Sequence, residues 1–251
     1  MKKVIYILIF FGATTSLMWC DGTNTITDLD TDIGSWVLLT WDDQLTPIQE
    51  FWWQFARENQ ILSLAKLDLT EFPDICSMLT QEQMWQIKSL DMHTHSIQRV
   101  DVDLSCMPLL TEIDLSFGQI QEVISFWVPL KKLFLSNNKV SSLSLLKFDS
   151  SKLESLVLSN NELQNLKWVE RFDALVNLEV HHNQIASIAG IESIKTLEKI
   201  KLEFNKLDSI RILNQLPNLW FVTATYNTIP EEQLEPWVQK TKSYIQSKEL
   251  E

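Results

Sequence analysis

The sequence predicts an α/β solenoid: about eight short coils stacked side by side, with one parallel β-sheet along their concave face. Three observations predict it. One apolar frame recurs, seen clearly as Leu130, Leu133, Leu135, Asn138 and Val140 at relative positions 1, 4, 6, 9 and 11. It recurs in register as Leu153, Leu156, Leu158, Asn161, Leu163; as Leu175, Leu178, Val180, Asn183, Ile185; as Leu197, Ile200, Leu202, Asn205, Leu207; and as Leu219, Val222, Ala224, Asn227, Ile229. Upstream, Ile87, Leu90, Met92, His95, Ile97 and Leu110, Ile113, Leu115, Gly118, Ile120 keep the apolar frame without Asn. Leu64, Leu67 and Leu69 with Phe72 make a degenerate first copy. Counted from Leu64, the steps are 23, 23, 20, 23, 22, 22 and 22 residues. A unit this short cannot bury its own apolar face, so the copies must stack.

Within a copy, positions 4 and 6 alternate with polar neighbours, the period of a strand with one buried face. The Asn at position 9 carries donors and an acceptor that can satisfy backbone groups inside the turn. Little chain then remains for an outer helix. The return segments, such as Ala189–Thr196, are expected to be short helical or 3₁₀ turns. The pattern resembles the leucine-rich repeat, over residues 61–229, and within it the 22-residue class of internalins and phosphatase-regulator repeat proteins. That resemblance implies a rigid binding scaffold without enzymatic activity.

Before the repeats, residues 1–19 have secretory signal architecture: basic Lys2 and Lys3, then the apolar run Val4–Phe11. Leu17-Met18-Trp19-Cys20 resembles a bacterial lipobox, in which the Cys is lipidated and begins the mature chain. Trp19 departs from the small residue that the motif places there. Lipidation at Cys20, ordinary signal cleavage nearby and an uncleaved anchor all stay open. Residues 20–35 are rich in Thr and Asp and read as a solvated tether.

Both ends of a solenoid need covering. Residues 36–60 form the expected N-terminal cap: a strand at Trp36–Trp41, then a helix entered through Thr46 and Pro47, with Ile48, Phe51, Trp52 and Phe55 on one face. Residues 230–251 form the expected C-terminal cap, a helix over Pro236–Ser247 with Trp237, Thr241, Tyr244 and Ile245 on one face. Five of the ten tryptophans (Trp36, Trp41, Trp52, Trp53, Trp237) lie in these caps. Cys76 falls at position 13 of its copy and Cys106 at position 20 of the next. Repeat position therefore does not bring them together, and a disulfide and two buried thiols both stay open.

Net charge is −12, and removal of Lys2 and Lys3 would make it more negative. Such a chain does not bind nucleic acid by neutralising phosphates, and anionic lipid repels it. Any membrane contact is expected through the N-terminal lipid or signal anchor alone. No phosphate loop, dinucleotide fingerprint, serine elbow or HExxH motif occurs, so neither a catalytic site nor a cofactor or metal is expected. His93 and His95 have metal-like spacing, but position 7 faces out and position 9 faces in.

The outward strand positions instead form a candidate binding face. Position 5 reads Asp68, Asp91 and Asp114, a carboxylate column, then turns apolar at Phe134 and Val157. Glu179 and His181 share the open face, with Glu203 at position 7 of the next copy and His182 beside them. Phe204, Phe221 and Tyr226 stand near the C-terminal end, where the cap either leaves Phe221 and Tyr226 free or folds over them. Exposed aromatics on a rigid sheet suit interface anchors. The expected function is an exported, monomeric, envelope-tethered or secreted module that holds a protein ligand on its concave face. A regulatory scaffold in an intracellular or periplasmic complex is the alternative.

Overall fold

The computed structural model describes residues 5–8, 36–39, 60–147 and 150–249, the first two stretches as backbone only. The expected signal cleavage region with Cys20, the tether and the cap helix entered through Thr46 lie outside the described residues. β1 (Ile5–Leu8) and β2 (Trp36–Leu39) pair antiparallel. β3 (Ile61–Ser63), β4 (Ser89–Asp91), β5 (Arg99–Asp101) and β6 (Glu112–Asp114) follow. Then come β7 (Glu122–Ser125), β8 (Lys132–Phe134), β9 (Ser155–Val157), β10 (Asn177–Glu179), β11 (Lys199–Lys201) and β12 (Phe221–Thr223). Eight of these make one parallel sheet in the order β3-β4-β6-β8-β9-β10-β11-β12, one strand per coil.

The register is the one the apolar frame dictates. Leu90, Ile113, Leu133, Leu156, Leu178, Ile200 and Val222, all at position 4, stand side by side across the sheet. They are buried together with positions 1, 6 and 11, so that Leu153, Leu156, Leu158 and Leu163 show no exposed surface. Each such side chain contributes about 1.5–3 kcal/mol by leaving water. From β4 to β12 the residues flanking position 4 stay half-buried or exposed, which leaves the outer face of the sheet open.

The first copy departs from expectation. Its strand is Ile61–Ser63, so Leu62 takes position 4 and Leu64 position 6. Ser63, not Asp68, is the register partner of Asp91. Both frames offer apolar residues two apart, and the frame that pairs with β4 wins. Register partners Ser63 and Asp91 lie 28 residues apart. The extra length holds two short helices, α1 (Ile75–Met78) and α2 (Gln81–Met84). Asp74 caps the first through the Ser77 N–H, and Thr80 and Gln83 form a capping box at the second.

This insertion also corrects the cysteine expectation. Cys76 on α1 and Cys106 form a disulfide, with Cα atoms 5.9 Å apart. The inserted loop carries Cys76 to the level of the next coil, which counting from a constant period could not show.

On the return side, 3₁₀ turns occur at Ser150–Lys152, Lys167–Arg171, Ile191–Ser193 and Arg211–Gln215, as expected. Two N-terminal coils instead return through strands: β5 and β7 pair in parallel as a second, outer sheet. Val100 and Val123 point inward there and are buried. Their β-branched side chains favour extended chain over a turn.

The C-terminal helix, α3, spans Glu231–Glu249 and begins five residues before the expected start. Glu231 and Glu232 suit the positive end of its dipole. Trp237 is buried, the Tyr244 ring stacks on Trp220 at 3.8 Å, and the Thr241 hydroxyl donates to the Trp220 carbonyl. Ile245 is exposed and lies off this stripe.

Candidate functional site: the open sheet face

Every coil leaves the sheet through a left-handed residue at position 8: Lys66, Thr94, Phe117, Asn137, Asn160, His182, Phe204 and Tyr226, with φ between 54° and 63°. At position 9 the chain turns inward. Asn161 shows the pattern there: its Nδ2 donates to the carbonyls of Leu158 and Ser159 in its own turn and of Leu135 in the preceding coil, while Oδ1 accepts the Val140 N–H. Asn138, Asn183, Asn205 and Asn227 repeat this geometry. Each amide thus satisfies two coils at once, which fixes both turn shape and coil spacing. The fold is a leucine-rich-repeat solenoid.

No family model matches the chain, and no curated protein does. Similar solved structures include an internalin (inlF) from Listeria monocytogenes, at 20% identity over 61% of this chain and 52% of that one, with a TM-score of 0.43. A leucine-rich-repeat protein of Leptospira interrogans matches at 22% identity over 70% and 52%, with a TM-score of 0.48. The functional domain of InlJ from Listeria monocytogenes, which includes a cysteine ladder, matches at 22% identity over 63% and 33%, also with a TM-score of 0.48. The chain spans about half the length of the first two.

Where Asn is missing, the repeat repairs itself with a reciprocal pair. The His95 ring occupies the Asn place in its coil: Nδ1 accepts the Ile97 N–H at 3.1 Å and Nε2 faces the Leu115 carbonyl at 3.1 Å. The proton therefore sits on Nε2. The next coil has Gly118 at position 9, and a Cβ there would stand 2.1 Å from His95 Cε1. Burial pushes the His95 pKa below its ordinary value, against the opposing pull of Asp114; His93 adds to the lowering. A second proton would have to enter at Nδ1, which already faces an N–H. Between the lowered folded value and the unfolded value of about 6.5, the unfolded chain binds more protons, so stability falls as pH drops through that range. The urea midpoint of the wild type should fall more between pH 7.5 and 5 than that of His95→Asn. Equal slopes would remove His95 from the account.

The outward residues fall into three groups. At the N-terminal end Asp91 and Asp114 are register partners. Asp91 is held by the His93 ring at 2.7 Å, the His93 N–H and the Ser63 hydroxyl, and Asp114 accepts the Ser116 N–H. Asp68 stands apart, exposed beyond the first strand. In the middle, Phe134 and Val157 pair across β8 and β9, both half-buried.

Toward the C-terminal end Glu179 forms an ion pair with Lys201 at 3.1 Å. His181 lies near Glu179 and Glu203; burial lowers its pKa, and the two carboxylates oppose that shift. Glu203 Oε2 is buried and makes no hydrogen bond. Phe221 is half-buried on β12, in register with Lys199 and edge-on to Trp220.

Beside this group the position-8 residues form a feature that sequence reasoning missed. The His182 and Phe204 rings stack at 4.1 Å and 12°, and Phe204 and Tyr226 at 4.0 Å and 11°. Three aromatics recur 22 residues apart in one column, which is the signal that could have revealed the stack. Phe204 is 42% exposed and Tyr226 71%, so the C-terminal helix packs on Trp220 and leaves Tyr226 free. Phe117, 59% exposed, occupies the same column nearer the N-terminus and was also missed.

Proposed function

We propose that this protein is a non-enzymatic, exported binding module that holds a protein ligand on the concave face of its repeat sheet. The observation that carries this reading is the His182–Phe204–Tyr226 stack. Large aromatics at left-handed positions cost backbone energy, on the order of 1 kcal/mol each relative to Gly or Asn. These rings bury no core, so their placement serves the surface. A rigid, partly desolvated aromatic strip on the same open side of the repeats as Phe134 and Val157 is the composition of an interface centre, and the Asp91–Asp114 end supplies a charged rim. The binding residues in this reading are Asp91, Asp114, Phe134, Val157, Glu179, His181, His182, Glu203, Phe204, Phe221 and Tyr226.

Export is supported by the Cys76–Cys106 disulfide, since stable disulfides belong to oxidising compartments. This favours the exported reading over an intracellular scaffold. No described helix is long and apolar enough to cross a membrane. Attachment would run through a lipid on Cys20 and the acidic tether, and the intact mass of the mature chain tests that step.

The binding test uses a partner captured from the source organism and titrated against variants. Phe204→Ala should weaken binding by about 2 kcal/mol or more, roughly 30-fold in Kd, with the fold unchanged. Lys195→Ala, exposed on the return side, should leave Kd unchanged. Equal affinities for wild type and Phe204→Ala would reject the aromatic strip as the site.

A further inference from the structure

The aromatic stack is open at one end. Tyr226 has one ring face on Phe204, and among the described residues no further coil covers the other. After Tyr226 the chain enters Glu231–Glu249, which turns to pack on Trp220 and leaves Tyr226 71% exposed. Stacking at 4.0 Å and 11° sets a repeat distance and a plane for one more flat group. The surroundings select its charge. Glu203, the residue before Phe204, has a buried carboxylate oxygen with no hydrogen-bond partner. The chain as a whole carries −12. A planar cation meets all of these conditions, and a neutral ring meets only the first. The guanidinium group is the flat cation of proteins; it stacks on aromatic faces and is more weakly hydrated than an ammonium.

We infer that the partner presents an arginine whose guanidinium extends the His182–Phe204–Tyr226 stack on the outer face of Tyr226, within the field of Glu203. The inference rests on the protein-binding reading above and deepens it by naming the group that is recognised. The remaining outward carboxylates favour a basic surface around that arginine. Asp91 and Asp114 face out as register partners and have no Lys or Arg ion pair among the described residues, whereas Glu112 is paired with Lys132 and Glu179 with Lys201.

The test uses the full chain with isotope-labelled tyrosine. The sequence holds three tyrosines, so Tyr226→Leu assigns its ring signal by deletion. The probes are two Gly/Ser-flanked peptides that differ at one residue, arginine in one and citrulline, its flat neutral isostere, in the other. The arginine peptide should move the Tyr226 ring signal and leave Tyr244 in place. The citrulline peptide should bind at least about threefold more weakly, the loss of one exposed cation–π contact. Glu203→Gln should weaken the arginine peptide by a similar factor, and the paired change Glu170→Gln with Asp173→Asn on the return side should not.

Equal shifts from both peptides would overturn the inference in favour of neutral stacking. Equal weakening by the return-side pair would overturn it in favour of diffuse charge attraction. No shift at Tyr226 from the arginine peptide, alongside a captured partner that still depends on Phe204, would reject the arginine and keep the protein-binding face. Loss of Phe204 dependence as well would reject both.

Discussion

Gly118→Ala should destabilise the solenoid by about 2–3 kcal/mol, although it adds a single methyl group. The cost comes from the reciprocal pair. The new Cβ would stand 2.1 Å from His95 Cε1 and 2.7 Å from both His95 Nδ1 and Asn138 Oδ1. None of these atoms can give way cheaply. The His95 ring is fixed by hydrogen bonds at both nitrogens, and Asn138 Oδ1 accepts the Ile120 N–H while its Nδ2 serves three carbonyls. In a His95→Ala background two of the three close contacts are gone and only Asn138 Oδ1 remains, so the same glycine substitution should cost less. The double-mutant cycle in urea should return a coupling of about 1–2 kcal/mol. Additive losses would mean that His95 and Gly118 do not share one site.

Replacing Cys76 and Cys106 together by Ser should cost more, about 3–4 kcal/mol. The chain-entropy model gives that figure for a bridge across 30 residues. The bridge ties the helical insertion of the first coil to the loop Asp103–Cys106 of the second, at the N-terminal end of the described sheet. Reductant should lower the wild-type urea midpoint by an equal amount and leave the double variant unmoved. A wild type indifferent to reductant would show that the two thiols are not joined in solution, and would withdraw the main support for export.

The legibility of the sequence follows the asparagines. From Leu130 to Ile229 the apolar frame and the Asn together fix strand, turn and facing, and the observed register partners are the expected ones. Upstream the frame alone is ambiguous. Leu62 and Leu64, or Leu67 and Leu69, satisfy the same two-residue alternation, and only pairing with β4 decides between them. That slip misplaced Asp68. It also hid the disulfide, because an insertion of irregular length cannot be counted through. The outer strands β5 and β7 were missed for a related reason. Return segments bury several apolar side chains per coil whether they run as strands or as 3₁₀ turns, and a buried Val among them does not announce whether its backbone is extended or turned.

At the site, facing was legible and conformation was not. The sequence placed Glu179, His181 and Glu203 together and set Phe204 and Tyr226 near them. It did not show that position 8 is left-handed in every coil, which swings those side chains clear of the core and brings their rings within 4.1 Å of each other. His95 shows the converse. Its identity broke the motif, yet the structure uses it in the Asn place, with the neighbouring glycine making room.

The central claim is that the sheet face is where a partner docks. Covalent side-chain footprinting of the full chain, with and without a captured partner, tests it most directly. Exposed aromatics lie on both sides of the solenoid, so the molecule carries its own controls. The account predicts protection of Phe134, Phe204 and Tyr226 in the complex, with Trp85 and Trp127, exposed outside the sheet at 54% and 61%, labelled as before. Protection of Trp85 and Trp127 with unchanged labelling at Phe204 and Tyr226 would contradict it and move the interface off the sheet.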